Sequence, residues 1–146
     1  MENMQKDLSL DEFHDLIQLR IAVFVLEQDC PYQDVDGKDK QSFHLIGLQN
    51  DKIVATSRIL PPGISYDEVA IGRVVIAKSA RGKGYAHDMM KESKSFVVNH
   101  FGNVPIRLSA QKHLEGYYGS HAFQSTGKEY LEDGIPHVEM LFQPSM

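Results

Sequence analysis

The chain has 146 residues, a net charge of −5 and a single cysteine, Cys30. That length suits one domain, residues 1–146, with a sizeable core. The acidic balance excludes broad electrostatic capture of nucleic acid or acidic membrane, and the lone cysteine excludes an internal disulfide or a Cys-rich metal site.

No apolar run reaches membrane-spanning length, and Met1 to Lys6 have no signal-peptide character, so a reducing, cytoplasmic setting is expected. Leu10, Phe13, Leu16, Ile17, Ile21, Phe24 and Val25 recur at helical spacing and predict a first helix. Ser9 with Glu12 three residues on is a capping-box pattern at its start. Cys30 to Gln41, with Pro31, Gly37 and several charges, reads as a loop. Phe43 to Gln49 and Lys52 to Leu60 read as strands around an Asn50-Asp51 turn, and Val69 to Ala77 as a third strand. A second helix begins near Gly84, with Ala86, Met89, Met90, Ser93, Phe96 and Val97 on one face, and stops at Gly102. Pro105 to Ala110 is a further strand and His113 to Phe123 a short helix. Thr126 to Leu131 and His137 to Phe142 are two last strands around Glu132-Asp133-Gly134. The pattern predicts an α/β (α+β) sheet with helices packed on it.

Between the third strand and the second helix stands Arg81-Gly82-Lys83-Gly84-Tyr85-Ala86. Glycines let backbone N–H groups close around an anion, and a helix start adds unpaired N–H groups and a positive dipole end. Arg81 and Lys83 add charge. The segment predicts a cradle for a pyrophosphate; the plain alternative is a solvated turn. It is neither a Walker A loop, since Gly84 follows Lys83, nor a Rossmann turn, since His87 stands at the third glycine position.

Arg81, Gly84 and Ala86, with Gly82 added, resemble the pyrophosphate-binding motif of the GNAT superfamily of N-acetyltransferases. Tyr117-Tyr118-Gly119-Ser120-His121-Ala122-Phe123 resembles a second signature of that family, with Ala122 at the usual glycine. Leu19-Arg20, Glu27-Gln28, Cys30-Pro31-Tyr32 and Tyr130 to His137 are similar to its ElaA-type branch. The resemblance implies a mixed, mostly antiparallel sheet with a central splayed strand pair and helices on both faces. It implies acetyl-CoA as cosubstrate and no metal. Gly82, Lys83, Gly84, Tyr85 and Ala86 would hold the pyrophosphate with Arg81 at the mouth, and the backbone of Val74, Val75 and Ile76 would hold the pantetheine arm.

Acetyl transfer needs a neutral amine and benefits from a proton donor for the leaving thiolate. Tyr118 is the candidate donor, because a phenol stays protonated near neutral pH. His137, after Pro136, is the candidate base; Glu139, two residues along the same strand, could orient or replace it, and a water chain remains open. Arg73 and Arg20 stand in apolar segments, where an unpaired cation is costly. With Glu27 they are candidates for substrate binding, or the arginines pair internally with Glu27 or Asp36. Asp34-Val35-Asp36-Gly37-Lys38-Asp39 hints at a calcium loop but lacks its spacing and its twelfth-position Glu. The expected partner is a small-molecule amine, with a homodimer left open. A non-catalytic acyl-CoA sensor and an interaction module are the readings from other classes.

Overall fold

The computed structural model describes residues 2–5, 8–30 and 32–144. One seven-stranded sheet runs through them in the order β1-β2-β3-β4-β5-β7-β6. Its strands are β1 (Glu2–Gln5), β2 (Phe43–Gln49), β3 (Lys52–Leu60), β4 (Val69–Ile76), β5 (Ile106–Gln111), β6 (Phe123–Glu132) and β7 (Ile135–Phe142). All neighbours are antiparallel except β4 and β5, which are parallel and register at only two positions, Val69 with Ile106 and Ala70 with Arg107. Beyond Ala70 the two central strands part.

Three helices pack on this sheet: α1 (Leu10–Arg20), α2 (Tyr85–Phe101) and α3 (Glu115–Gly119). Strand alternation shows that they cover both faces. On β3 the Ser57 hydroxyl meets Ser93 of α2 at 2.7 Å, while Arg58, one residue on, reaches Asp39 on the side where Arg20 of α1 is buried. Met89, Met90 and Val97 of α2 pack with Leu45, Ala55, Ile59, Ile71 and Leu108 in the main core. The capping box at Ser9 and Glu12 forms in both directions.

Several boundaries differ from the sequence reading. β1 was not expected; Glu-Asn-Met-Gln has no apolar alternation, and its strand arises from pairing along the edge of β2. The first apolar helix changes its winding at Ile21: residues Ile21–Glu27 form a π-helix, with the Gln28 and Cys30 amides reaching back to the Val23 and Val25 carbonyls. With this wider turn Val23 is buried and Ile21, expected on the inner face, is partly exposed; Leu10, at the first turn of α1, is exposed as well. The short helix ends at Gly119 rather than Phe123. Ala122 adopts a left-handed φ of 69°, which reverses the chain into β6 and explains why glycine suits that position.

Candidate active site

The parting of β4 from β5 leaves the β5-facing backbone of β4 without a strand partner beyond Ala70, in the stretch that includes Val74, Val75 and Ile76. A short 3-10 turn (Lys78–Ala80) then leads into the Gly-rich segment. Gly82 and Gly84 have φ of 82° and 79°, and no atom lies within 4 Å of where a Cβ would stand on either. Gly84 caps α2 with no side chain closing the helix start, so the first-turn N–H groups remain available to an anion. These residues fit an acyl-CoA: an open, positive helix start for the pyrophosphate and an unpaired strand edge for the amides of its arm.

Arg81 is already engaged. Its Nη1 and Nη2 donate to Glu27 at 2.6 and 2.9 Å, and its Nε donates to the Ile76 carbonyl at 3.2 Å. The hydrogen bonds from Arg81 hold the Glu27 carboxyl below its ordinary range. Glu27, expected among the substrate-binding residues, is instead committed to Arg81 beside the Gly-rich segment. Lys83 is exposed, with its ammonium 5.9 Å from the Tyr85 ring centre, and the Tyr85 hydroxyl accepts from Gln49 Nε2.

Beside the splay lies a cleft of about 590 Å³ whose lining includes Val74, Arg73, Gln111, Tyr118 and His137. Helical spacing left open which tyrosine of the pair faces it. Tyr118 lines the cleft, while the Tyr117 hydroxyl donates to the Ala86 carbonyl at 2.6 Å and ties α3 to the first turn of α2. Burial pushes the Tyr118 hydroxyl up to about 12, so it stays protonated across the neutral range.

His137 is buried on β7 with Nδ1 2.7 Å from the Ile135 carbonyl. A carbonyl only accepts, so Nδ1 carries the hydrogen and Nε2 is the ring atom that can gain or give up a proton. Nε2 lies 3.3 Å from a carboxylate oxygen of Glu132. Tyr130 stacks on the imidazole at 6.1 Å between ring centres, and its hydroxyl bonds Ser109. Glu139, weighed as a partner of His137, is committed elsewhere: its carboxylate accepts from Arg107 Nη1 and from Thr126 Oγ1, each at 2.9 Å. The carboxylate beside the imidazole is Glu132, which the sequence reading placed in the turn without a role. A hairpin register links these two residues, and no local spacing reveals it.

The two arginines of interest have different fates. Arg20 is 1% exposed and is saturated by Asp34 and Asp39, so it does not face the cleft. Its partners are Asp34 and Asp39 rather than Glu27 or Asp36. Arg73 does line the cleft, with φ of 49°, Nε on Asp34 at 2.9 Å, Asp36 at 3.6 Å and the Tyr32 ring 5.8 Å away. Arg58 completes the cluster through Asp36 at 2.7 Å and Asp39 at 3.0 Å. An arginine in the apolar run of β3 is the same anomaly as Arg73, and that signal was present in the sequence. The Asp-rich segment that hinted at calcium thus binds guanidinium groups. Among the described residues, no group of three or more His, Cys, Asp or Glu side chains is placed to hold a metal ion. Cys30 is buried, with Sγ 3.4 Å from the Asp133 carbonyl, against the same hairpin turn.

Fold and family together define an acyl-CoA-dependent N-acyltransferase. The chain matches the model of the acetyltransferase (GNAT) domain over residues 9–143 and belongs to that family, in its ElaA-type branch. It is 40% identical over 136 residues to Protein ElaA of Escherichia coli (strain K12), covering 92% of this chain and 89% of that one. The crystal structure of an acyl-CoA N-acyltransferase from Pseudomonas aeruginosa superimposes with a TM-score of 0.91 at 40% identity, covering 97% of this chain and 98% of that chain. The crystal structure of Escherichia coli ElaA gives 0.90 at 37% identity, over 97% and 99% of the two chains. Among the described residues, no helix is long and apolar enough to cross a membrane.

Proposed function

We propose that the protein moves an acetyl group from acetyl-CoA to the amine of a small molecule, by direct attack in a ternary complex. The observation that carries this reading is a single cleft holding an imidazole whose Nδ1 is fixed on a carbonyl and whose Nε2 faces Glu132, with a buried, protonated phenol beside an unpaired strand edge. The backbone of Gly82 to Ala86 binds the pyrophosphate, with Arg81 and Lys83 at its mouth. The backbone of Val74 to Ile76 aligns the pantetheine arm and orients the thioester carbonyl.

His137 Nε2 takes a proton from the acceptor ammonium and passes it to solvent. The neutral amine attacks the thioester carbon, forming the C–N bond as the C–S bond breaks. Tyr118 protonates the departing thiolate, and the second proton lost by the nitrogen restores the phenol. One amide, one thiol and one released proton balance the reaction. Direct attack needs no acyl-enzyme, and Cys30, buried against the Asp133 carbonyl, is not required as a nucleophile. The one cysteine, Cys30, is a free thiol, which suits a reducing cytoplasm, and we propose that setting.

Calorimetric titration with acetyl-CoA, with adenine nucleotides as controls, checks the cofactor half of this proposal. Saturation at one site per chain is expected, followed by CoA release when amines are added. Binding without turnover over a broad amine panel would replace the transferase with an acyl-CoA sensor, and no binding at millimolar ligand would leave an interaction module.

A further inference from the structure

Charge is unevenly spread across the cleft. Along the sheet order β3-β4-β5-β7-β6, its cationic wall comes from Arg58 and Arg73 of β3 and β4, and its anionic wall from Glu132 and Asp133 at the β6–β7 turn. Lys38, from the 3-10 turn at Gly37–Gln41, joins the cationic wall. Arg58 and Arg73 on that wall, with Arg20 buried behind it, are balanced by Asp34, Asp36 and Asp39. Lys38 is the surplus charge: its ammonium donates to the Ser65 hydroxyl at 2.8 Å, and it pairs with no carboxylate among the described residues. Arg73 uses Nε and Nη2 on the Asp34 and Asp36 groups, which leaves Nη1 unbonded among the described residues.

The opposite wall has the reverse excess. Neither Glu132 nor Asp133 pairs with a lysine or arginine among the described residues; the basic group beside Glu132 is the imidazole. Because Ile135 fixes the hydrogen on Nδ1, it is Nε2 that faces the Glu132 carboxylate at 3.3 Å, and when the ring gives up its second proton the two become paired acceptors. Two lone pairs at that distance repel unless N–H donors serve both. A primary ammonium has three such donors and can give one to each.

We propose that the acceptor is a primary amine that also carries an anionic group, a carboxylate or a phosphate. Its ammonium is held by Glu132 and His137, and its anion by Lys38 and Arg73. This rests on the transferase reading and names the substrate class of the same cleft. Glu132 is then a catalytic residue in its own right: it binds the ammonium and hands one proton of it to Nε2. The strands bearing Arg73 and His137 are separated by β5, and β4 has parted from β5 at Arg73, so the two ends stand more than about 10 Å apart before their side chains reach inward. A bare alkylamine fills only one end.

The experiment compares kcat/KM, with acetyl-CoA saturating, for matched pairs: glycine and glycinamide, β-alanine and β-alaninamide, phosphoethanolamine and ethanolamine. Each pair is read on the pH plateau of its own amine. At least one anionic member is expected to exceed its partner by about tenfold to a hundredfold, the effect of one charge-assisted contact. The pair that shows the preference separates carboxylate from phosphate. Lys38→Met should bring that ratio towards one and Lys38→Arg should keep it. Glu132→Gln should raise the acceptor KM while calorimetric acetyl-CoA binding stays as in the native protein. The proposal is overturned by ratios of one or less in every pair, by a ratio that survives Lys38→Met, or by binding of acetyl-CoA with no anionic amine acetylated. Loss of acetyl-CoA binding itself would instead remove the transferase reading on which the proposal stands.

Discussion

His137 owes its usefulness to one backbone carbonyl. The Ile135 oxygen, 2.7 Å from Nδ1, selects the tautomer and leaves Nε2 as the only basic atom of the ring. His137→Ala is expected to lower kcat by about 10² to 10⁴-fold, the range for a lost general base, with acetyl-CoA affinity unchanged. Equal losses of turnover and cofactor affinity in steady-state kinetics and calorimetry would move His137 out of the base role. Tyr118→Phe removes a hydroxyl that burial keeps protonated. Single-turnover acetyl transfer should slow by on the order of 10²-fold; an unchanged rate would rule out assistance to the leaving sulfur.

At the scale of elements, the segment between the π-helix and β2 is held by charge rather than by apolar burial. Arg20 projects from the last turn of α1 and binds Asp34 and Asp39, which also bind Arg73 and Arg58 respectively. One buried arginine thus locks α1, the 34–39 segment, β3 and β4 around one wall of the cleft. Arg20→Met leaves Asp34 and Asp39 short of a partner in a buried site. Such a break costs about 3–5 kcal/mol, which a urea titration would register as a lower midpoint. A loss below about 1 kcal/mol would show that Arg58 and Arg73 alone satisfy the carboxylates. The same cluster explains how Arg73 tolerates φ of 49° on a central strand: its guanidinium donates to Asp34 Oδ1 and to the Asp34 backbone carbonyl, and lies over the Tyr32 ring.

For the whole molecule, pH acts in two windows. Burial is the first cause that lowers His44 and His121 below the ordinary histidine value; the neighbouring His87, 2.8 Å away, adds to the effect at His121. The unfolded chain therefore binds more protons at these positions. Stability that is complete above the unfolded value, about 6.5, falls as pH drops below it. At Asp39, burial pushes the carboxyl up, but Arg20 and Arg58 together outweigh it and hold it low. Asp36 behaves alike through Arg58 and Arg73, and Glu68 is held low by Arg107. Their contribution persists above the unfolded carboxylate value of about 4 and disappears as pH falls through their lowered folded values. Melting temperature is thus expected to decline already between pH 7 and 5.5, then more steeply below about 4. His44→Gln and His121→Gln should flatten the first decline; an unaltered slope in both variants would assign it to other groups.

The sequence by itself determined the local pieces. Glycine flanked by basic residues before an amphipathic run specifies the open turn and the uncapped start of α2, because φ and helix capping depend on neighbours in the chain. Apolar period located β2 to β5 and the buried face of α2 for the same reason. The same periodicity could not show where α-helical winding gives way to π-helical winding at Ile21, nor that a polar quartet would form β1. Only the tertiary structure decided which charges meet. It took Arg20 out of the cleft, turned Glu27 to Arg81, bound Glu139 to Arg107 and brought Glu132 to His137. Ion pairs between elements depend on register and burial rather than on spacing along the chain. A charged residue in an apolar run announces that it has a partner, but the partner is chosen by the sheet.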